Sequence, residues 1–120
     1  MTAADIDAQI TFVHVADLAR SAEFYGSTLG LELARDQGAC LIYRVTGDAY
    51  IGICDHRAPE PAGIILTLVA DDVDGWADRL TAAGVEVEGP TASERFAIYH
   101  LFARDPDGHL VEIQRFDQSL

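Results

Sequence analysis

The stretch Arg104-Asp105-Pro106-Asp107-Gly108-His109-Leu110-Val111-Glu112-Ile113 decides how the rest of the chain is read. Pro106 presets the second position of a tight turn and Gly108 supplies a positive φ, while residues 109–114 alternate as a half-buried strand does. Leu110, Glu112 and Gln114 therefore share one face of that strand. A carboxylate among apolar neighbours is uncommon without a partner or a task, which makes Glu112 the first candidate functional residue. His109, just past the turn, is expected to face solvent or to hold the turn.

Moving back from the turn, residues 95–103 read as the preceding strand, with Ile98, His100 and Phe102 on one side. Residues 85–88 form a short strand that Gly89-Pro90 should break. Asp71 or Asp72 caps a helix running through Trp76 and Leu80 to Ala83, Gly84 closes it, and residues 64–70 are the strand before it. The polar segment 55–63, with Pro59 and Pro61, separates this half from an earlier one of the same design. There residues 9–16 form a strand with Ile10, Phe12 and His14 on one side. Asp17 then caps a helix over 18–29, in which Leu18, Ala22, Tyr25 and Leu29 recur at helical spacing, and Gly30 closes it. Strands follow at 31–35, 39–45 and 49–54, the last two joined by Thr46-Gly47-Asp48. Val15-Ala16-Asp17 against Val69-Ala70-Asp71, and Gly30 against Gly84, repeat at a period of about 54 residues.

Two βαβββ modules, about 9–54 and 64–115, within one domain over 1–120 predict an α+β fold. The expected form is a curved eight-stranded mixed sheet with helices on one side and an open, barrel-like groove on the other. Alternate strand residues would line that groove, which nominates Phe12, His14, His100, Phe102 and Glu112 as ligand-binding residues. Phe96, Tyr99 and Tyr50 are expected in the core, Tyr25 and Trp76 in helix packing, and His56 in solvent.

Charge narrows the function. The 120 residues carry 20 Asp and Glu against 8 arginines, with no lysine, for a net charge of -12. That balance excludes nucleic acid and anionic membranes as partners, and the missing lysine excludes Schiff-base chemistry and a phosphate-loop lysine. No Ser-His-Asp order, glycine-rich phosphate loop or zinc-type cysteine pair stands in the sequence. The acidic start, residues 1–7, lacks the basic-then-apolar pattern of a signal peptide, so a cytoplasmic setting is expected. In that setting Cys40 and Cys54 would be reduced, buried thiols.

The chain resembles the vicinal oxygen chelate superfamily, which includes glyoxalase I, extradiol dioxygenases, fosfomycin resistance enzymes and bleomycin resistance proteins. The residues that carry the resemblance are Val15-Ala16-Asp17-Leu18, Ser21, Phe24-Tyr25 and Leu29-Gly30-Leu31-Glu32-Leu33 in the first half. In the second they are Asp71-Asp72-Val73-Asp74, Leu80, Ala82-Ala83-Gly84-Val85, Gly89-Pro90 and residues 105–113. The resemblance implies the duplicated fold and, in metal-dependent members, His, Gln or Glu ligands from the first and last strand of each half. Glu112 matches the last-strand ligand. The first-strand positions match Ile10 and Ile65, or Ile64 if Asp71 is the anchor, and the fourth-strand position matches Ile53 or Ile51.

Isoleucine has no donor atom, so no metal and no cofactor are expected at those positions. Two routes back to a metal stay open: a one-residue slip turning Gln9 inward, or a displaced site at His14, His100 and Glu112. The leading expectation is a metal-independent small-molecule binding protein of the bleomycin resistance type. It would be a homodimer sequestering a cationic or aromatic compound in an acidic groove. The alternative is a lyase, isomerase or dioxygenase using the displaced metal, or using Glu112 as its catalytic general base.

Overall fold

The computed structural model describes residues 6–118; residues 1–5, most of the acidic start, and 119–120 lie outside the described residues. The chain divides into two compact units, residues 1–60 and 61–120, parted within the polar segment. In the first unit β1 (Gln9–His14) leads to α1 (Leu18–Ala22), a π-helical turn (Glu23–Thr28), β2 (Glu32–Asp36), β3 (Cys40–Thr46) and β4 (Ala49–Cys54). In the second, β5 (Ile65–Val69) leads to α2 (Val73–Ala82), β6 (Val87–Ser93), β7 (Ile98–Arg104) and β8 (Leu110–Phe116).

The α+β class and the two βαβββ modules are those the sequence indicates, with strand pairing among the described residues running within each module. The sheets run β1-β4-β3-β2 and β5-β8-β7-β6, so the eight strands pair as two mixed sheets of four. In each, the first strand lies parallel to the last and the remaining pairs are antiparallel. This pairing follows from the helix, because a parallel partner must be reached by a crossover, while the three later strands connect by short turns.

Asp17 accepts a hydrogen bond from the Arg20 amide at 3.0 Å, and Asp72, not Asp71, caps α2 by accepting from the Gly75 amide at 2.9 Å. Each helix covers one face of its own sheet. Val13, Val15, Tyr25, Ile51 and Ile53 fill the first core, and Leu66, Val73, Leu80, Leu101, Val111 and Ile113 the second. Burying each such side chain contributes about 1.5–3 kcal/mol before chain entropy is subtracted.

Four expectations need correction. The first helix is α-helical only to Ala22 and then widens: the Leu29 amide donates to the Phe24 carbonyl, five residues back. The wider turn lets the neighbours Phe24 and Tyr25 both be buried, at 5% and 0% exposure. Gly89-Pro90, a cis peptide, does not break β6 but sits in it as an irregularity between Glu88 and Thr91. β6 is an edge strand, where a missing amide donor is tolerated. Residues 94–97 are a turn rather than strand, which leaves Phe96 exposed instead of in the core. Finally, Cys40 and Cys54 are not free thiols: register makes them direct cross-strand partners, and they form a disulfide.

Candidate functional site

Strand parity and pairing build the candidate site on the face of the second sheet that α2 leaves open. Glu112 on β8 lies opposite Thr67 on β5 and Phe102 on β7, while Gln114 lies opposite His100. The Thr67 hydroxyl donates to Glu112 Oε1 at 2.9 Å. His100 Nδ1 is 2.6 Å from Glu112 Oε2. With the Gln114 amide turned so that its nitrogen faces the carboxylate, it donates to Oε1 at 3.2 Å and Oε2 at 3.1 Å. Glu112, 8% exposed, thus meets three donors rather than an arginine.

The consequence lies at the other end of the imidazole. In the neutral tautomer whose Nδ1–H donates to the carboxylate, the one such a partner selects, Nε2 of His100 is left as an acceptor. The Phe102 ring packs edge-on against His100 with centroids 5.0 Å apart. Ile65 and Val69 on β5, on the same face as Thr67, are exposed apolar surface. A planar ligand would therefore meet one imidazole nitrogen in an otherwise apolar and aromatic setting.

In the first unit, the corresponding face carries Ile10, Phe12 and His14 on β1 beside Tyr50, Gly52 and Cys54 on β4. Phe12, 47% exposed, is not core: its ring lies over Gly52, where a β-carbon would collide with it. The Arg44 guanidinium packs 4.9 Å from the Tyr50 ring and donates to its hydroxyl at 2.7 Å. His14 stands beside His56, their ring centroids 5.4 Å apart. The candidates thus fall into two groups, Phe12 and His14 on one sheet and His100, Phe102 and Glu112 on the other.

One pair escaped the sequence reading. His109 is buried, at 2% exposure, and its Nδ1 is 2.7 Å from Asp105 Oδ2. The other oxygen, Oδ1, accepts from the His109 amide at 2.8 Å and the Asp107 amide at 3.0 Å. His109 is therefore a turn-holding residue and not a solvent-facing one. The signal in the sequence was an Asp and a His flanking Pro106-Asp107-Gly108, close enough to meet once the turn closes.

The positions that carry metal ligands in metal-dependent relatives do not fit a divalent ion. Ile10 and Ile65 offer no donor, and Ile51 and Ile53 point the other way, into the core at 4% and 0% exposure. The fourth-strand positions on the open face are Tyr50 and Gly52, so the sequence alignment of that strand was off by one residue.

Paired βαβββ modules with a carboxylate on the last strand define the class of protein. A sequence model of the Glyoxalase/Bleomycin resistance protein/Dioxygenase superfamily matches residues 8–113, and the chain belongs to that superfamily. A protein of Vibrio cholerae named probable lactoylglutathione lyase is 28% identical over 91% of this chain and 90% of its own length. Among solved structures, TnmS3, an antibiotic binding protein from Streptomyces sp. CB03234, superposes with a TM-score of 0.82 at 28% identity, covering 95% of this chain and 98% of that one. Lactoylglutathione lyase from Agrobacterium tumefaciens has the same fold, with a TM-score of 0.74 at 24% identity over 89% of this chain and 91% of its own.

Proposed function

We propose that this protein binds a small planar compound without a metal, and that the ligand carries a hydrogen-bond donor such as a phenol or a protonated amine. The observation that carries the reading is the Glu112–His100 pair, 2.6 Å apart, which leaves His100 Nε2 as the acceptor beside Phe102. Glu112, with three donors around it, acts by fixing the imidazole and lending it negative charge rather than by touching the ligand. The likeness to an antibiotic binding protein supports a binding role, and the net charge of -12 favours a cation.

The test is a thermal-shift screen of aromatic phenols and amines on chelator-treated protein, followed by calorimetry on the hits. His100→Ala and Glu112→Gln should each weaken binding about tenfold, the worth of one hydrogen bond to a charge-supported group. Hits that need an added divalent metal, or that ignore both substitutions, refute the reading. We also propose a homodimer in which a second copy covers exposed apolar residues such as Ile64, Ile65 and Val69. Light scattering should then give twice the 13.0 kDa chain mass, and a monomer at all concentrations refutes it.

The same geometry favours one second reading. An imidazole oriented by a carboxylate is the arrangement of a general base, so His100 would take a proton from a bound substrate in an isomerase or lyase reaction. Turnover abolished by His100→Ala with ligand affinity retained would favour this reading over binding alone.

A further inference from the structure

At one end of the first sheet, register gathers four side chains that sequence spacing keeps apart. Cys40 opens β3 and Cys54 ends β4, and as cross-strand partners their Cα atoms are 4.1 Å apart. His14 ends β1 as the lateral partner of Cys54, and His56 follows β4 by two residues. Cys40 Sγ lies 3.9 Å from His56 Nδ1, and the donor atoms of Cys40, Cys54 and His56 all lie within 4.8 Å of one another. The His14 ring meets His56 edge-on with centroids 5.4 Å apart. Two imidazoles on one tetrahedral zinc, each bound at about 2.0–2.1 Å, place their centroids roughly 5 Å apart.

We propose that the reduced chain binds a borderline-soft divalent metal, zinc foremost, through Cys40, Cys54, His56 and His14. The disulfide is the oxidised, metal-free form of the same site. A dithiol reductant supplies two electrons and two protons, so that the S–S bond becomes two thiols while the reductant closes its own disulfide. The metal then displaces one proton from each thiol to solvent. Two thiolates and two neutral imidazoles are the ligand set of a closed tetrahedral zinc site, and the thiolates cancel the charge of the ion. Cys54, at 2% exposure, shields the site on one side, while exposed His56 leaves an entry path. Glu112 and His100 take no part, so the metal ligands share no side chain with the pair that carries the small-molecule reading.

The experiment uses untagged protein, reduced with a dithiol, exchanged anaerobically into reductant-free buffer and titrated with cobalt(II). One cobalt per chain should bind, with thiolate-to-cobalt charge transfer in the near ultraviolet and the visible bands of tetrahedral cobalt, and zinc should displace it. The oxidised chain should give neither signal. Cys54→Ser should remove the charge-transfer band, and His56→Ala, at an exposed position, should weaken binding by at least about tenfold with the fold intact. Glu112→Gln should leave the cobalt stoichiometry and spectrum as they are in the unsubstituted reduced chain. A reduced chain without the thiolate band, or a band that survives both Cys40→Ser and Cys54→Ser, overturns the proposal. So does cobalt binding that is lost in Glu112→Gln but kept in Cys54→Ser, which would move the metal to the other cluster. Small-molecule affinity is read on the oxidised chain, so either reading can fail without the other.

Discussion

Asp105 and Glu112 are both buried carboxylates paired with a histidine, and what separates them is the far side of the imidazole. The His109 side chain is 3% exposed and that of Asp105 0%, so their pair has no route to a ligand and serves the β7–β8 turn. The His100 side chain keeps 18% of its surface in contact with solvent, which leaves its second nitrogen available. Replacing Asp105 with Ala should therefore cost about 3–5 kcal/mol, because it strands a buried imidazole and two amides. Urea denaturation measures this, and a loss below about 1 kcal/mol would mean that water replaces the carboxylate. The sequence singled out Glu112 and His100 because strand alternation places them on one face. It could not rank Asp105 and His109 as highly, since their contact exists only once the turn has closed and folded His109 inward. Phe96 was misread for a related reason: an aromatic residue predicts burial only where a neighbouring layer covers it, and no alternation pattern reveals that.

Tyr43 on β3 links two elements, since it lies under the π-helical turn, where a β-carbon on Gly26 would come within 3.3 Å of its ring. Burial first, and the charge of Asp36 second, raise its phenol above the ordinary 10.0. The sign follows from proton counting. Below the unfolded value both states keep the proton and stability does not respond. Above it the unfolded chain loses the proton first, so stability falls as pH rises beyond about 10. Tyr99 should add to this, its phenol raised by donating to Asp74 at 2.5 Å. Denaturant midpoints measured on either side of that pH should drop on the alkaline side, and Tyr43→Phe should flatten the drop; an unchanged slope in the variant would assign the effect elsewhere. At this scale the sequence was most legible where caps spoke: Asp17 and Asp72 start the helices, and Gly30 and Gly84, at φ 73 and 81, end them. It was least legible where a breaker lies on an edge. A proline would end a central strand, but Pro90 is accommodated in the edge strand β6, and edge position is a property of pairing order, not of local sequence.

At the scale of the molecule, duplication was visible because a whole unit repeats, while the disulfide was not, because Cys40 and Cys54 meet through register rather than spacing. Register also explains the misplaced Ile51 and Ile53: with a period of two, an error of one residue exchanges the open face for the core. Charge is the one whole-chain property that needs no register to act. A net charge of -12, with eight arginines and no lysine among 120 residues, gives the protein a field that a cationic ligand meets before any contact forms. Raising ionic strength from about 0.01 M to about 0.15 M shortens the screening length from roughly 30 Å to roughly 8 Å, so only contacts close to the site keep their full strength. If a cationic aromatic ligand is held at His100 and Phe102 as proposed, stopped-flow association should therefore slow across that range while the dissociation rate stays nearly constant. A neutral analogue of the same shape should show no such slowing. If both respond alike, the acidity serves solubility alone, and selectivity for cations must be sought in the ligand's contact with His100 Nε2.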